Sequence, residues 1–130
     1  MPTKQSHFNK ELFFQALGDT TRLRLLNLMG GEELCVYTFV EILAQSQPKI
    51  SRHLAYLRRA GIIEGRREGK WMHYRVVPPT DEGAAKLLRK TLKWLQDDRL
   101  MQSDRTRLSK ATCPPAELVT LQAASTRKTR

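Results

Sequence analysis

Hydrophobic positions recur at helical spacing through the first sixty residues and then change period. Between Ser46 and Gly61, Ile50, Leu54 and Leu57 fall at i, i+4 and i+7, which makes a single apolar stripe on a helix. Gln47, Lys49, Ser51, Arg52 and His53 lie off that stripe. Ser46 suits the N-cap, Pro48 the first turn and Gly61 the position just past the end, so the segment has both a start and a stop signal.

The preceding sequence predicts three further helices. Phe8 to Leu17 carries Leu12, Phe13, Ala16 and Leu17 on one flank and stops at Gly18. Asp19 caps a second helix, TTRLRLLNLM, whose Leu23, Leu25, Leu26, Leu28 and Met29 are apolar over most of its circumference and place it at the centre of the core. A short third helix runs from Val36 to Leu43. Ala44, Gln45 and Ser46 then turn the chain into the Gln47-containing segment, the spacing of a helix-turn-helix unit, in which the second helix enters the major groove.

After Gly61 the period becomes that of strands. Ile62 to Arg67 and Trp71 to Val77 flank the turn Glu68, Gly69, Lys70 and predict a hairpin, with Arg66, Arg67 and Lys70 at a projecting tip suited to phosphates or a minor groove. This hairpin is a wing beside the helix-turn-helix. Thr80 or Asp81 opens a long helix on which Ala85, Leu88, Leu92 and Leu95 follow i, i+3, i+7, i+10. That seam is either the last piece of core or a dimer contact, and the two are compatible. From Asp97 the pattern weakens to a polar helix stopped by Pro114 and Pro115, and a frayed tail. The expected organisation is a domain over residues 1–98 and a basic C-terminal extension over 99–130. The fold class is mainly α with a small β-hairpin, a winged helix-turn-helix of five or six helices.

Charge sharpens this picture. The net formal charge of +10 lies in two blocks: residues 46–75 carry eight Lys/Arg against two acids, and residues 99–130 seven against two. A basic patch concentrated on a folded segment is the footprint of a polyanion binder, with double-stranded DNA the expected partner. No apolar run approaches a membrane span and the N-terminus has no hydrophobic signal region, so the cytoplasm and no membrane are expected. No nucleophile with a base, phosphate-cradling Gly loop or paired carboxylates stands out, and an enzyme is not expected.

The segments QALGDTTRLRLLNLM, EELCV and LAQSQPKISRHLAYLRRAGIIEGRREGKWMHYRV together resemble the ArsR/SmtB family of bacterial metal-responsive winged-helix repressors. The resemblance implies a homodimer, built largely from the first and the long C-terminal helices, with Leu12, Ala85, Leu88, Leu92 and Leu95 as interface candidates. It implies binding to a two-fold operator and release by an inducer, with no cofactor required for DNA binding. Carried over by position, the recognition set is Ser46, Gln47, Lys49, Ser51, Arg52 and His53, and the wing set Arg66, Arg67 and Lys70, with Glu68 and Gly69 in its turn.

Arsenic-responsive members of that family carry a CxC pair where this chain reads Cys35, Val36, Tyr37, so one thiol of the pair is replaced by Tyr37. Cys35 and the distant Cys113 are the only cysteines and the metal-ligand candidates. Two thiols suit As(III) as a trivalent organoarsenical or another thiophilic ion, or alternatively a disulfide or persulfide. No His follows His73, so the family's zinc site on the long helix is not expected. Two alternatives remain open: a redox- or persulfide-responsive repressor of the same fold, and a winged-helix module for a protein or RNA partner.

Overall fold

The computed structural model describes residues 8–109. Four helices come first or flank a single short strand: α1 (Lys10–Leu17), α2 (Thr20–Met29), β1 (Leu34–Cys35), α3 (Val36–Leu43) and α4 (Gln47–Arg59). The hairpin β2 (Ile63–Glu68) and β3 (Trp71–Val76) follows, then α5 (Glu82–Leu95) and α6 (Arg99–Leu108). Local chemistry explains most of these boundaries. Asp19, Ser46, Asp81 and Asp98 each accept a backbone N–H three residues ahead, at Arg22, Lys49, Ala84 and Met101, satisfying one of the orphan donors of each helix start. The first helix begins at Lys10, two residues later than its apolar pattern predicts, because Asn9 caps it through Leu12 N.

α2 is the hub of the core. Its Leu25, Leu26, Leu28 and Met29 are fully buried with Phe13, Phe39, Ile50, Leu54, Leu57 and Ile62, and burying each such side chain contributes about 1.5 to 3 kcal/mol. α4 ends in a Schellman arrangement in which Gly61 N–H donates to Arg58 O and Ile62 N–H to Leu57 O. Gly61 takes φ +77° there, a conformation open to glycine at little cost. Gly69, at φ +62°, opens the two-residue turn between Glu68 and Trp71, as a glycine-first hairpin turn requires.

Two features go beyond the sequence reading. The hairpin is part of a three-stranded antiparallel sheet in the order β1-β3-β2, because Leu34 and Cys35 pair with Tyr74 and His73. The long-helix seam also faces inward: Leu88 and Leu95 are buried in the chain's own core and Leu92 packs against it. Of the two roles the sequence allows for this seam, Leu88 and Leu95 therefore fill that of core within the single chain, with little surface left exposed. The outward apolar side chains of this region are Phe14 on α1 and Leu87 and Trp94 on α5, with Trp94 75% exposed.

α6 buries Met101 and is tied to α2 by polar anchors as well. The Asp104 carboxylate is fully buried and takes both arms of the Arg24 guanidinium at 2.7 and 2.9 Å, plus Arg107 Nη2 at 2.7 Å. Asn27, also buried, donates to Met101 O, and Arg105 returns a bond to Asn27 O. The turn at residue 98, where the sequence reading ended its domain, thus joins two helices that both contact α2.

Candidate nucleic-acid interface

α4 divides as its sequence pattern predicts. Ile50, Leu54 and Leu57 are completely buried, while Gln47, Lys49, Ser51 and Arg52 are exposed on the opposite side. Among the described residues nothing covers these four side chains, which carry the donors and acceptors that read base edges: a Gln amide for adenine, an Arg fork for guanine, a Ser hydroxyl for either. Ser46 stands at the tip of the helix with its hydroxyl engaged as cap. The exposed C-terminal end of α4 adds Arg58 and Arg59 to the positive surface.

His53 departs from this set. It is half-buried, Arg22 Nη1 lies 3.3 Å from its Nδ1, and the Asp19 carboxylate lies 3.7 Å from the same atom. Its ring is therefore turned to α2 rather than presented with Arg52. Arg22 was not among the sequence candidates, and nothing in the local pattern marks it: a polar residue in the first turn of a buried helix reads as solvated.

The wing presents Arg67 near the end of β2 and Lys70 within its turn to solvent. Arg66 is exposed as well, but its guanidinium is held. Its Nε donates to both oxygens of Glu33, at 3.0 Å to Oε2, and Nη2 lies 3.0 Å from Glu68. The bond from Arg66 draws the Glu33 carboxyl below its ordinary range, and the two carboxylates stabilise the Arg66 cation still further. Glu64 pairs with Arg75 across β2 and β3. The wing thus carries its own counter-charges, one of them, Glu33, from the segment leading into α3.

That same segment holds the thiol candidate. Cys35 is 1% exposed, stands at the N-cap position of α3 without a side-chain cap bond, and is disulfide-bonded. It lies opposite His73 in the β1–β3 register and lines a cleft of about 410 Å³ with Glu33, Thr38, His73 and Arg105. The other candidate, Cys113, lies outside the described residues. Tyr37, at the position where the resembled motif has its second thiol, packs edge-on against Trp71 of the wing with ring centroids 4.8 Å apart. Among the described residues no three His, Cys, Asp or Glu side chains form a metal-binding group.

Comparison with known proteins agrees with this geometry. Residues 19–64 match the model of the bacterial regulatory protein arsR family. The chain is 41% identical over 101 residues to the arsenical resistance operon repressor of Escherichia coli, covering 77% of this chain and 85% of that protein. It is 43% identical over 94 residues to the arsenic resistance transcriptional regulator ArsR1 of Pseudomonas putida, covering 68% and 73%. Among solved structures, the homodimeric winged helix-turn-helix DNA-binding domain Mb0332 from Mycobacterium bovis superposes with a TM-score of 0.54 at 26% identity, covering 71% of this chain and 82% of that one.

Proposed function

Because the chain belongs to the arsR family of bacterial regulatory proteins, we propose that it is a homodimeric, sequence-specific repressor that leaves its operator when a trivalent arsenical engages Cys35 and Cys113. One observation carries the DNA-binding part: the fully buried stripe of α4 fixes its opposite, uncovered face of Gln47, Lys49, Ser51 and Arg52 beside a basic wing. Two such faces in a two-fold dimer lie about one DNA turn apart, roughly 34 Å, and so call for two related half-sites. Phe14, Leu87 and Trp94 supply the apolar surface on α1 and α5 for the second subunit. Among the described residues no helix is long and apolar enough to cross a membrane.

The inducer part rests on the relatives' names and on the position of Cys35. A ligand at the head of α3 acts on three links at once: α3 leads directly into α4, β1 pairs with the wing strand β3, and Glu33 holds Arg66. Reduced thiols of Cys35 and Cys113 suit an arsenic atom that still carries one organic group. An inducer weakens DNA binding only by its differential affinity for the two dimer states, and strain at this junction is where that difference arises. A thiol-oxidation response is the second reading, favoured by the disulfide-bonded state of Cys35.

A fluorescence-anisotropy titration on DNA from upstream of the protein's own gene tests both parts. Arsenite, methylarsenite, zinc and diamide are each added to the reduced protein, beside Cys35→Ser and Cys113→Ser. Release by methylarsenite or arsenite that both Ser variants abolish supports the arsenical reading, and release by diamide alone supports the redox one. Equal affinity for unrelated duplexes refutes the repressor reading altogether.

A further inference from the structure

We propose that Arg22 is a positioning residue that fixes the pose of α4 against α1 and thereby sets the half-site spacing the dimer accepts, an inference that rests on the repressor reading above. Arg22 sits in the first turn of α2, yet its side chain reaches two other helices. Its Nε donates to Ala16 O at 2.9 Å and its Nη2 to Gln15 O at 2.8 Å, two carbonyls in the last turn of α1, of which Gln15 O also accepts the Gly18 N–H at 3.1 Å. Its Nη1 lies 3.3 Å from His53 Nδ1, and its Cζ stands 4.1 Å from the centroid of the Tyr56 ring. Both His53 and Tyr56 belong to α4. The Tyr56 hydroxyl closes the circuit by donating to Gln15 Oε1 at 3.0 Å.

Three helices therefore meet at one planar, multi-donor group. Its fork geometry matters, because a Lys ammonium cannot bond two carbonyls, an imidazole and a ring face in fixed directions. α1 carries the exposed Phe14 of the proposed subunit contact, and α4 carries the base-reading face. The distance between the two reading faces in a dimer thus depends both on the subunit contact and on how α4 is set against α1, and Arg22 fixes the second. One base pair is about 3.4 Å along the duplex axis, so a small tilt at this junction changes which spacing fits. Arg22 has its nitrogens turned to protein acceptors, which distinguishes it from Arg52 and Lys49 on the open face.

The test uses Arg22→Gln and, as a variant that keeps the arginine and its charge, Tyr56→Leu. The probe is the tightest duplex that the wild-type protein selects from a random-sequence pool, together with versions whose half-sites are moved one base pair closer or farther. Wild type is expected to prefer the selected spacing by about tenfold or more, and both variants to bind all three duplexes within about threefold of one another. The slope of log Kobs against log salt stays at the wild-type value in both. A slope shallower by about 0.9 in Arg22→Gln with the spacing preference intact makes Arg22 a phosphate contact and overturns the inference. Amide hydrogen exchange without DNA gives an independent reading: residues 53–59 should exchange faster in both variants while β2 and β3 are unchanged, and wild-type protection of α4 overturns it. Failure of wild type to select any two-part duplex refutes the repressor reading, and the exchange experiment still decides the role of Arg22.

Discussion

Replacing Asp104 by Asn should destabilise the domain severely, although the side chain is far from the reading face. The carboxylate is fully covered, accepts both arms of Arg24 and takes a third bond from Arg107. The amide of Asn keeps one acceptor oxygen, places an NH2 against cationic donors, and leaves the Arg24 charge uncompensated. Removing one partner of a buried ion pair costs about 3 to 5 kcal/mol. The Arg24 side chain retains 15% of its exposure and can turn partly to water, so the lower end applies, about 3 kcal/mol. For a domain of this size that corresponds to a fall in Tm of about 15 °C. The double variant Arg24→Met with Asp104→Leu removes both charges and should recover to within about 1 kcal/mol of wild type.

The same pair makes a pH signature. Burial alone raises the Asp104 pKa, but the hydrogen bonds and positive charges of Arg24 and Arg107 outweigh it and hold the carboxyl below its ordinary range. A depressed folded-state value contributes stability that is fully present above the unfolded pKa of about 3.9 and is lost as pH falls through the folded value. Urea melts of wild type and Asp104→Asn at one protein concentration should therefore differ by a constant amount between pH 8 and 5 and converge below about pH 4. A loss under about 1 kcal/mol at pH 7, or one that persists undiminished at pH 3, would falsify the account of this clasp.

Three further outcomes follow from the surface. Glu33→Gln with Glu68→Gln removes both carboxylates that hold Arg66 and frees it for phosphate, so the salt slope of DNA binding should steepen by about 0.9; an unchanged slope means that Arg66 makes no DNA contact that these carboxylates withhold. Trp94→Glu should raise the dimer dissociation constant about 100-fold in sedimentation velocity, since a central aromatic anchor is worth about 2 to 4 kcal/mol, and leave far-UV dichroism as it is. Arg52→Ala should cost about 1 to 3 kcal/mol of discrimination between the selected duplex and a random one, with the dimer intact, and a variant that still discriminates fully removes Arg52 from the reading set.

How much was legible depends on the range of the interaction. Asp19, Ser46 and Asp81 could be read as caps because a cap is decided within three residues. The divided α4 was equally legible, since Ile50, Leu54 and Leu57 share a face whatever they pack against. Ala85, Leu88, Leu92 and Leu95 show the limit: periodicity identifies a stripe and not its partner, and the structure gives Leu88 and Leu95 to the chain's own core. β1 escaped notice because two residues carry no period, and its pairing with β3 is set by distant chain. Arg22, Glu33 and Asp104 escaped for a related reason. Their partners lie in other elements, and a lone charge in a sequence looks like any solvated one.

The order of the sheet has a consequence for how such a molecule can move. β3 is the middle strand, hydrogen-bonded to β2 on one side and to the Leu34–Cys35 pair on the other, so the wing is stitched to the threshold of α3 rather than hanging from the turn after α4. Slipping it by one register would break ladders on both flanks and turn Tyr74 out of the core. A disturbance at that threshold accordingly has two lever arms from one fulcrum, one running through α3 into α4 and one through β3 into the hairpin.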